Sequence, residues 1–184
     1  GTPVTAASYV DAWNWAAACQ NKATNQSFFG PSGADIAGYE QTAGSVTASG
    51  DISCPDQPVP LTGLTATGEL TFSITLARPV AILESMLGYW AFSPMPQSFF
   101  KDPEVFAAKP VGNGPFQFAS RTPGTDIRMR AATGYQGADR PQVEDIEWRV
   151  YADLDKAYDD LRAARLDILT RMPTDVLEGN RWQA

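Results

Sequence analysis

The stretch KPVGNGPFQF, residues 109–118, decides how the chain is read. Its two glycines, two apart, invite comparison with loops that cradle phosphate. A Walker-type loop needs a Lys and a Ser or Thr after its last glycine, where those groups hold phosphate and metal. Here Gly114 is followed by Pro115 and Phe116, and proline removes a backbone donor that such a cradle uses. A dinucleotide fingerprint requires a third glycine and a helix, whereas the residues after Pro115 pattern as a strand. Gly112 and Gly114 therefore read as turn residues with permissive backbone angles, and Pro115 as a stiff entry into a strand. The stretch launches a sheet and does not bind a nucleotide.

Strands and short helices alternate outward from that turn. Residues 116–120 and 126–131 pattern as a hairpin around TPGT, 122–125. Val143, Ile146, Trp148 and Val150 belong to a further strand whose alternation slips near Glu144. Asp153 is placed to cap a helix over 154–164, with Leu154, Ala157, Tyr158 and Leu161 as its apolar stripe. LDILT, 166–170, reads as a short buried strand, and Pro173 and Thr174 open another helix. On the N-terminal side, Thr5 caps a helix over 6–19 with Tyr9, Val10, Trp13 and Ala17 on its buried face. Residues 21–63 are rich in Gly, Ser, Thr and Pro and read as surface decoration with a short helix or two. Leu70, Phe72, Ile74 and Leu76 alternate with polar residues in a half-buried strand. A helix over 80–87 comes next, then the aromatic, Pro-rich GYWAFSPMPQSFF, 88–100, as an ordered loop.

Composition narrows the functions. Of the 184 residues 43 % are hydrophobic and 19 % charged, with 15 Gly and 14 Pro, which suits a globular chain with many turns. The net charge of −7 rests on only 14 basic residues, scattered among acids, which argues against nucleic acid as a partner. No apolar run approaches the roughly 18 residues of a membrane span. The opening GTPVTAASYV reads as mid-domain sequence, so the chain is expected to be a portion of a longer protein. There is no histidine, hence no Ser-His pair and none of the commonest metal ligand. No GxSxG occurs, and the Asp residues at 153, 155, 159 and 160 lack the register of a calcium loop. No catalytic residue, metal site or cofactor is indicated. Glu144, Asp145 and Glu147 read as a solvated strand face. The two cysteines, Cys19 and Cys54, leave open a single disulfide or two buried thiols. The loop aromatics Phe28, Phe29, Tyr89, Trp90, Phe92, Phe99 and Phe100 either line a ligand pocket or form a minor core.

Six stretches in order carry a resemblance: GTPVTAASYVDAWNWA (1–16), LTFSITLARPVAILESML (70–87), AFSPMPQSFF (91–100), PVGNGPFQF (110–118), IRMRAATGYQGADRPQVEDIEWRVYAD (127–153) and LRAARLDIL (161–169). Together the sequence resembles the oligopeptide- and dipeptide-binding proteins of ABC importers, the family 5 extracellular solute-binding proteins. The likeness is weakest over 22–63. Two departures stand out. The family's Asn-Pro-x-Tyr-Trp region reads AATGYQG, and its common "SGEiD" reads AARLD, with Ala164 in place of Gly.

The resemblance implies a mixed α/β chain, part of a type II periplasmic-binding-protein-like fold with a mixed sheet and flanking helices. Residues 1–100 would belong to the peripheral domain. Residues 101–184 would be an inserted portion of the first ligand-binding lobe, ending near the hinge. The implied function is non-enzymatic peptide binding outside the membrane and delivery to the permease subunits, with the membrane reached only through a lipid anchor of the parent protein. Thr170, Arg171 and Met172 occupy the position where relatives contact peptide, and Phe28 and Phe29 lie near the place where relatives set an aromatic over it. A binder of a non-peptide solute, or a non-transport interaction module on the same fold, is the alternative.

Overall fold

The computed structural model describes residues 3–178, which divide at Pro103/Glu104 into two compact units. In the first unit, α1 (Ala6–Ala17) starts where Thr5 leaves the helical region, and the Thr5 N–H is taken up by Ser8 Oγ at 3.2 Å. Its buried side is Ala6, Ala12, Trp13, Ala16 and Ala17, with Tyr9 and Val10 packed at the margin. Small alanines let neighbouring segments approach closely, and Trp13 fills the space between them. Trp13 is 2 % exposed, meets Phe29, Phe72 and Phe92 at ring centroid distances of 5.2–6.0 Å, and donates its indole N–H to the Phe92 carbonyl at 3.0 Å. A buried indole needs such a partner. Truncating a Trp in this setting typically costs about 3–5 kcal/mol.

The segment 21–63 is more than the surface decoration its composition suggests. It holds α2 (Tyr39–Ala43), preceded by a 3-10 turn over Gln26–Phe29, and a two-stranded hairpin, β1 (Ser45–Val46) and β2 (Ile52–Ser53). It also supplies Phe29, Ala34, Ile36 and Leu61 to the core. Isolated apolar residues between turn formers carry no period, yet each joins the core that Trp13 centres. Asp35 sits in this segment at φ 51°, nearly buried, where Arg78 Nε reaches its carboxylate at 2.6 Å. Arg78 also donates to the Pro31 carbonyl. β3 (Leu64–Ala66) and β4 (Phe72–Ile74) pair antiparallel, and Ile36 bridges to Leu76 beside them. Phe72, Ile74 and Leu76 keep the expected inward face, while Leu70 is 75 % exposed in the turn.

The helix expected over 80–87 contracts to one turn, α3 (Leu83–Met86). The stretch expected as loop contains a 3-10 turn over Trp90–Phe92 and α4 (Gln97–Lys101), which starts just after Pro96. Proline is tolerated there because the N–H it lacks has no partner inside the helix.

α5 (Pro103–Ala108) starts on the last residue of the first unit and runs into the second, where the GNGPF turn follows. Gly112 and Gly114 do not use left-handed angles and have open space about them, so this exposed turn does not require glycine for its shape. Pro115 does anchor the strand entry, since its carbonyl accepts from Ala132 N at 2.8 Å. β5 (Phe116–Thr122), β6 (Asp126–Ala131) and β7 (Asp145–Arg149) form a sheet ordered β5-β6-β7, antiparallel throughout, with a register shift between Phe118 and Ser120. Gly124, at φ 71°, turns the first hairpin. α6 (Leu154–Arg162) is capped by Asp153, whose carboxylate accepts from Asp155 N at 2.9 Å, and α7 (Thr174–Glu178) closes the described chain. LDILT is not a strand. It pairs with no strand among the described residues, and Ile168 is 76 % exposed. An apolar run becomes a strand only where a ladder partner takes its backbone groups.

Candidate ligand-binding site

The segment joining α6 to α7 carries Thr170, Arg171 and Met172. Its base is built by charge. Asp160 accepts from the Tyr151 hydroxyl at 2.8 Å and from Arg165 Nη2 at 2.6 Å. Arg149 Nη1 donates to the Arg165 carbonyl at 3.1 Å, tying the helix end to the end of β7. The hydrogen bond from Tyr151, then those from Arg165, hold the Asp160 carboxyl below the usual carboxylate range. The same bond to Asp160 pushes the Tyr151 phenol up. Beyond this base the chain extends: Thr170 and Arg171 are exposed, Met172 is half-buried and Pro173 is buried. Arg171 forms no ion pair among the described residues. An exposed guanidinium of this kind offers forked donors to a carboxylate.

Phe28 and Phe29 belong to the other compact unit and have different fates. Phe29 is fully buried, 5.3 Å from Phe92 between ring centroids, and presents no surface to a ligand. Phe28 is half-buried and stacks on Tyr89 at 4.8 Å with 29° between planes; Tyr89 in turn leans on Trp90 at 5.3 Å. Tyr89 and Trp90 are 43 % and 58 % exposed. Phe92 and Phe99 are buried, so the loop aromatics split between core and an exposed ledge. The sequence marks both groups but not their meeting, which depends on two 3-10 turns distant in the chain.

The sheet face holds the feature that sequence reading missed. Arg128 lies between Asp126 at 3.2 Å and Glu147 at 3.5 Å, Arg130 meets Asp145 at 3.0 Å, and Arg149 meets Glu147 at 2.7 Å. The alternation of Arg128 and Arg130 in one strand, facing Asp145 and Glu147 in the next, was the available signal, and only the register makes it readable. An open depression of about 440 Å3 lies on this face, lined in part by Ser120, Arg128, Arg130, Asp145 and Glu147. Hydrogen bonds from Thr122, then the charge of Arg128, hold the Asp126 carboxyl low. The face is self-compensating: each guanidinium already has its carboxylate. No cluster of metal-ligating side chains occurs among the described residues. Cys19 and Cys54 are joined as a disulfide, with Cα atoms 5.5 Å apart. Taken singly, the exposed Arg171 offers its guanidinium to a carboxylate, and the Phe28–Tyr89–Trp90 ledge offers an aromatic face.

Comparison with known proteins points to one family. The family described as bacterial extracellular solute-binding proteins, family 5 Middle, matches residues 1–180. A dipeptide-binding protein of Lactococcus lactis subsp. cremoris is 22 % identical over 151 residues, covering 78 % of this chain and 28 % of that protein. OppA of Haemophilus influenzae, solved in complex with RPPGFSPFR, superposes with a TM-score of 0.80 at 18 % identity, over 100 % of this chain and 34 % of its own. The murein tripeptide binding protein MppA of Escherichia coli gives 0.78 at 19 % identity, over 97 % and 33 %. The two structures establish the fold, that of periplasmic binding proteins. The chain spans about a third of the length of these relatives.

Proposed function

Because the chain belongs to the family 5 bacterial extracellular solute-binding proteins, whose members bind solutes and do not transform them, we propose that it is part of the substrate-binding component of an ABC-type importer. Its ligands are oligopeptides or dipeptides, taken up outside the cytoplasm and handed to the permease subunits. The observation that carries this reading is the match over nearly the whole chain to a family whose similar members are named for peptides. Residues 1–100 act as part of the peripheral domain and 101–184 as an inserted portion of the first lobe. The division at Pro103/Glu104 supports that assignment. In the working protein, two lobes close over the peptide and exclude water. Backbone hydrogen bonds then recognise an extended chain largely regardless of its side chains. Membrane attachment is through a lipid anchor of the parent protein; no described helix is long and apolar enough to cross a membrane.

Within this scheme Thr170, Arg171 and Met172 contact peptide, with the Arg171 guanidinium taking a carboxylate, and Phe28 contributes an aromatic face. Native mass spectrometry of the parent protein as purified tests the ligand class. Peptide-mass adducts are expected; a protein that stays bare after incubation with a broad peptide mixture rejects peptides. Calorimetric titration with a captured peptide then tests the site. Arg171→Ala removes a charge-assisted hydrogen bond of about 1.5–3 kcal/mol, so binding weakens roughly 10- to 150-fold. Unchanged affinity in Arg171→Ala removes that residue from the site while leaving the peptide reading intact.

A further inference from the structure

The β1–β2 hairpin is an excursion that its own residues do little to hold. Each strand is two residues long, and a short isolated hairpin is marginal in water. Val46 and Ile52, paired across it, are 74 % and 63 % exposed. Its turn is knitted internally, with Thr47 N donating to the Asp51 carbonyl at 2.7 Å and Ser49 Oγ to Asp51 Oδ2 at 2.7 Å. The Cys19–Cys54 disulfide and the hydrogen bond from Gln20 Nε2 to the Pro55 carbonyl at 2.6 Å tie the hairpin to the body. The second is one-armed, because Gln20 Oε1 is buried with no hydrogen-bond partner among the described residues. Gly44 lies at the hairpin base at φ 79°, where a side chain would press on the Ser53 carbonyl and Cys19 Sγ.

The two sulfur-bearing residues are unequal. Cys19 lies just past α1 and is 5 % exposed, while Cys54 stands on the exposed return of the hairpin. In thiol–disulfide exchange the rate depends on access to the attacked sulfur and on the leaving thiol, and Cys54 is the residue of the pair that solvent reaches. We propose that Cys54 is the thiol-exchange site of a redox latch that fastens the β1–β2 hairpin to the first unit. The attacking species is a low-molecular-weight thiolate. It forms a new S–S bond to Cys54 Sγ, the Cys19–Cys54 bond breaks, and the electron pair leaves on Cys19 Sγ, which takes a proton from water. Apolar burial disfavours a thiolate at Cys19 and makes it the slower leaving group, so access at Cys54 is what favours this route, and the released sulfur rests as a thiol. A second thiolate attacks the small-molecule sulfur of the mixed disulfide, leaving the oxidised dimer of the reagent and a free Cys54. Opening the latch frees the hairpin and leaves the Trp13 core in place.

Reduced glutathione is the probe. The purified protein is incubated with it without denaturant, quenched with acid, alkylated and mapped by mass spectrometry. Glutathione is expected on Cys54 and the alkyl group on Cys19. Adducts mainly on Cys19 overturn the assignment, as does native protein that resists glutathione concentrations able to reduce it once unfolded. Thermolysin then reads the latch: cleavage within 45–60 is expected to rise at least about tenfold on reduction, since proteolysis follows the open population. Near-ultraviolet circular dichroism is expected to keep its aromatic signal. Loss of that signal, or a hairpin still protected after reduction, overturns the latch. The Cys19→Ser/Cys54→Ser protein is expected to be cut at the reduced rate with or without glutathione. If it fails to fold, the reduced native protein carries the test alone.

Discussion

Ala164 shows how one residue can stand in a position shaped for another. It lies past the end of α6 at φ 54°, in the left-handed region. There Arg165 N closes back on the Asp160 carbonyl at 2.8 Å, which ends the helix and starts the segment that carries Arg171. The family's common glycine at this point has a physical reason, since an L-residue in this conformation costs roughly 1–2 kcal/mol. Ala164→Gly is therefore expected to stabilise the protein by about 0.5–1 kcal/mol, after allowing for glycine's greater freedom when unfolded. Urea denaturation monitored by circular dichroism checks it, and a destabilised variant contradicts the strain. The sequence shows that glycine is replaced but not what the replacement costs, because φ at a helix end is set by the direction the chain takes beyond it.

Elements whose pattern is local were legible, and those that depend on a distant partner were not. The β5–β6 hairpin and α6 with its Asp153 cap needed only alternation, turn chemistry and a capping side chain. LDILT failed because no ladder partner meets it among the described residues. The core role of 21–63 was hidden because Phe29, Ile36 and Leu61 answer to Trp13 and not to each other's spacing. The loop aromatics could be marked in the sequence as a set of residues but not as a surface: Phe29 turned inward, while Phe28 found Tyr89. Gly63 illustrates the same dependence. Its N–H donates to the Ala37 carbonyl, its own carbonyl accepts from Thr75 N, and a Cβ there would strike the Thr75 carbonyl. Gly63→Ala is expected to cost roughly 1–3 kcal/mol by overpacking. Thermal unfolding measures it, and an unchanged midpoint would show that the β3–β4 junction can give way.

The two compact units are stabilised differently. The first has an aromatic core around Trp13, whereas in the second the buried side chains are few, Ala157, Tyr158, Pro173 and Val176 among them. Ion pairs line the β5–β7 face and the end of α6 in the second. Asp126 and Asp160, both there, are held low by their partners. A carboxylate with a depressed folded value contributes stability that is complete above its unfolded value near 3.9 and is lost as pH falls through the folded one. Acid is therefore expected to loosen β5–β7 and α6 before α1. Hydrogen exchange at stepwise lower pH, corrected for intrinsic rates, reads this amide by amide, and simultaneous loss in both units would refute it. The indole bond from Trp13 to Phe92 has a different consequence, one of timing. It joins positions 79 apart in the sequence. Whatever delivers the chain amino end first, a ribosome or an export channel, α1 emerges long before its partner. During that interval its apolar side has only partial cover, and such surface is what aggregation and chaperones act on. The first unit can close its core only once Phe92 has arrived, so a chain halted before that residue is expected to be a client for chaperones and not a folded intermediate.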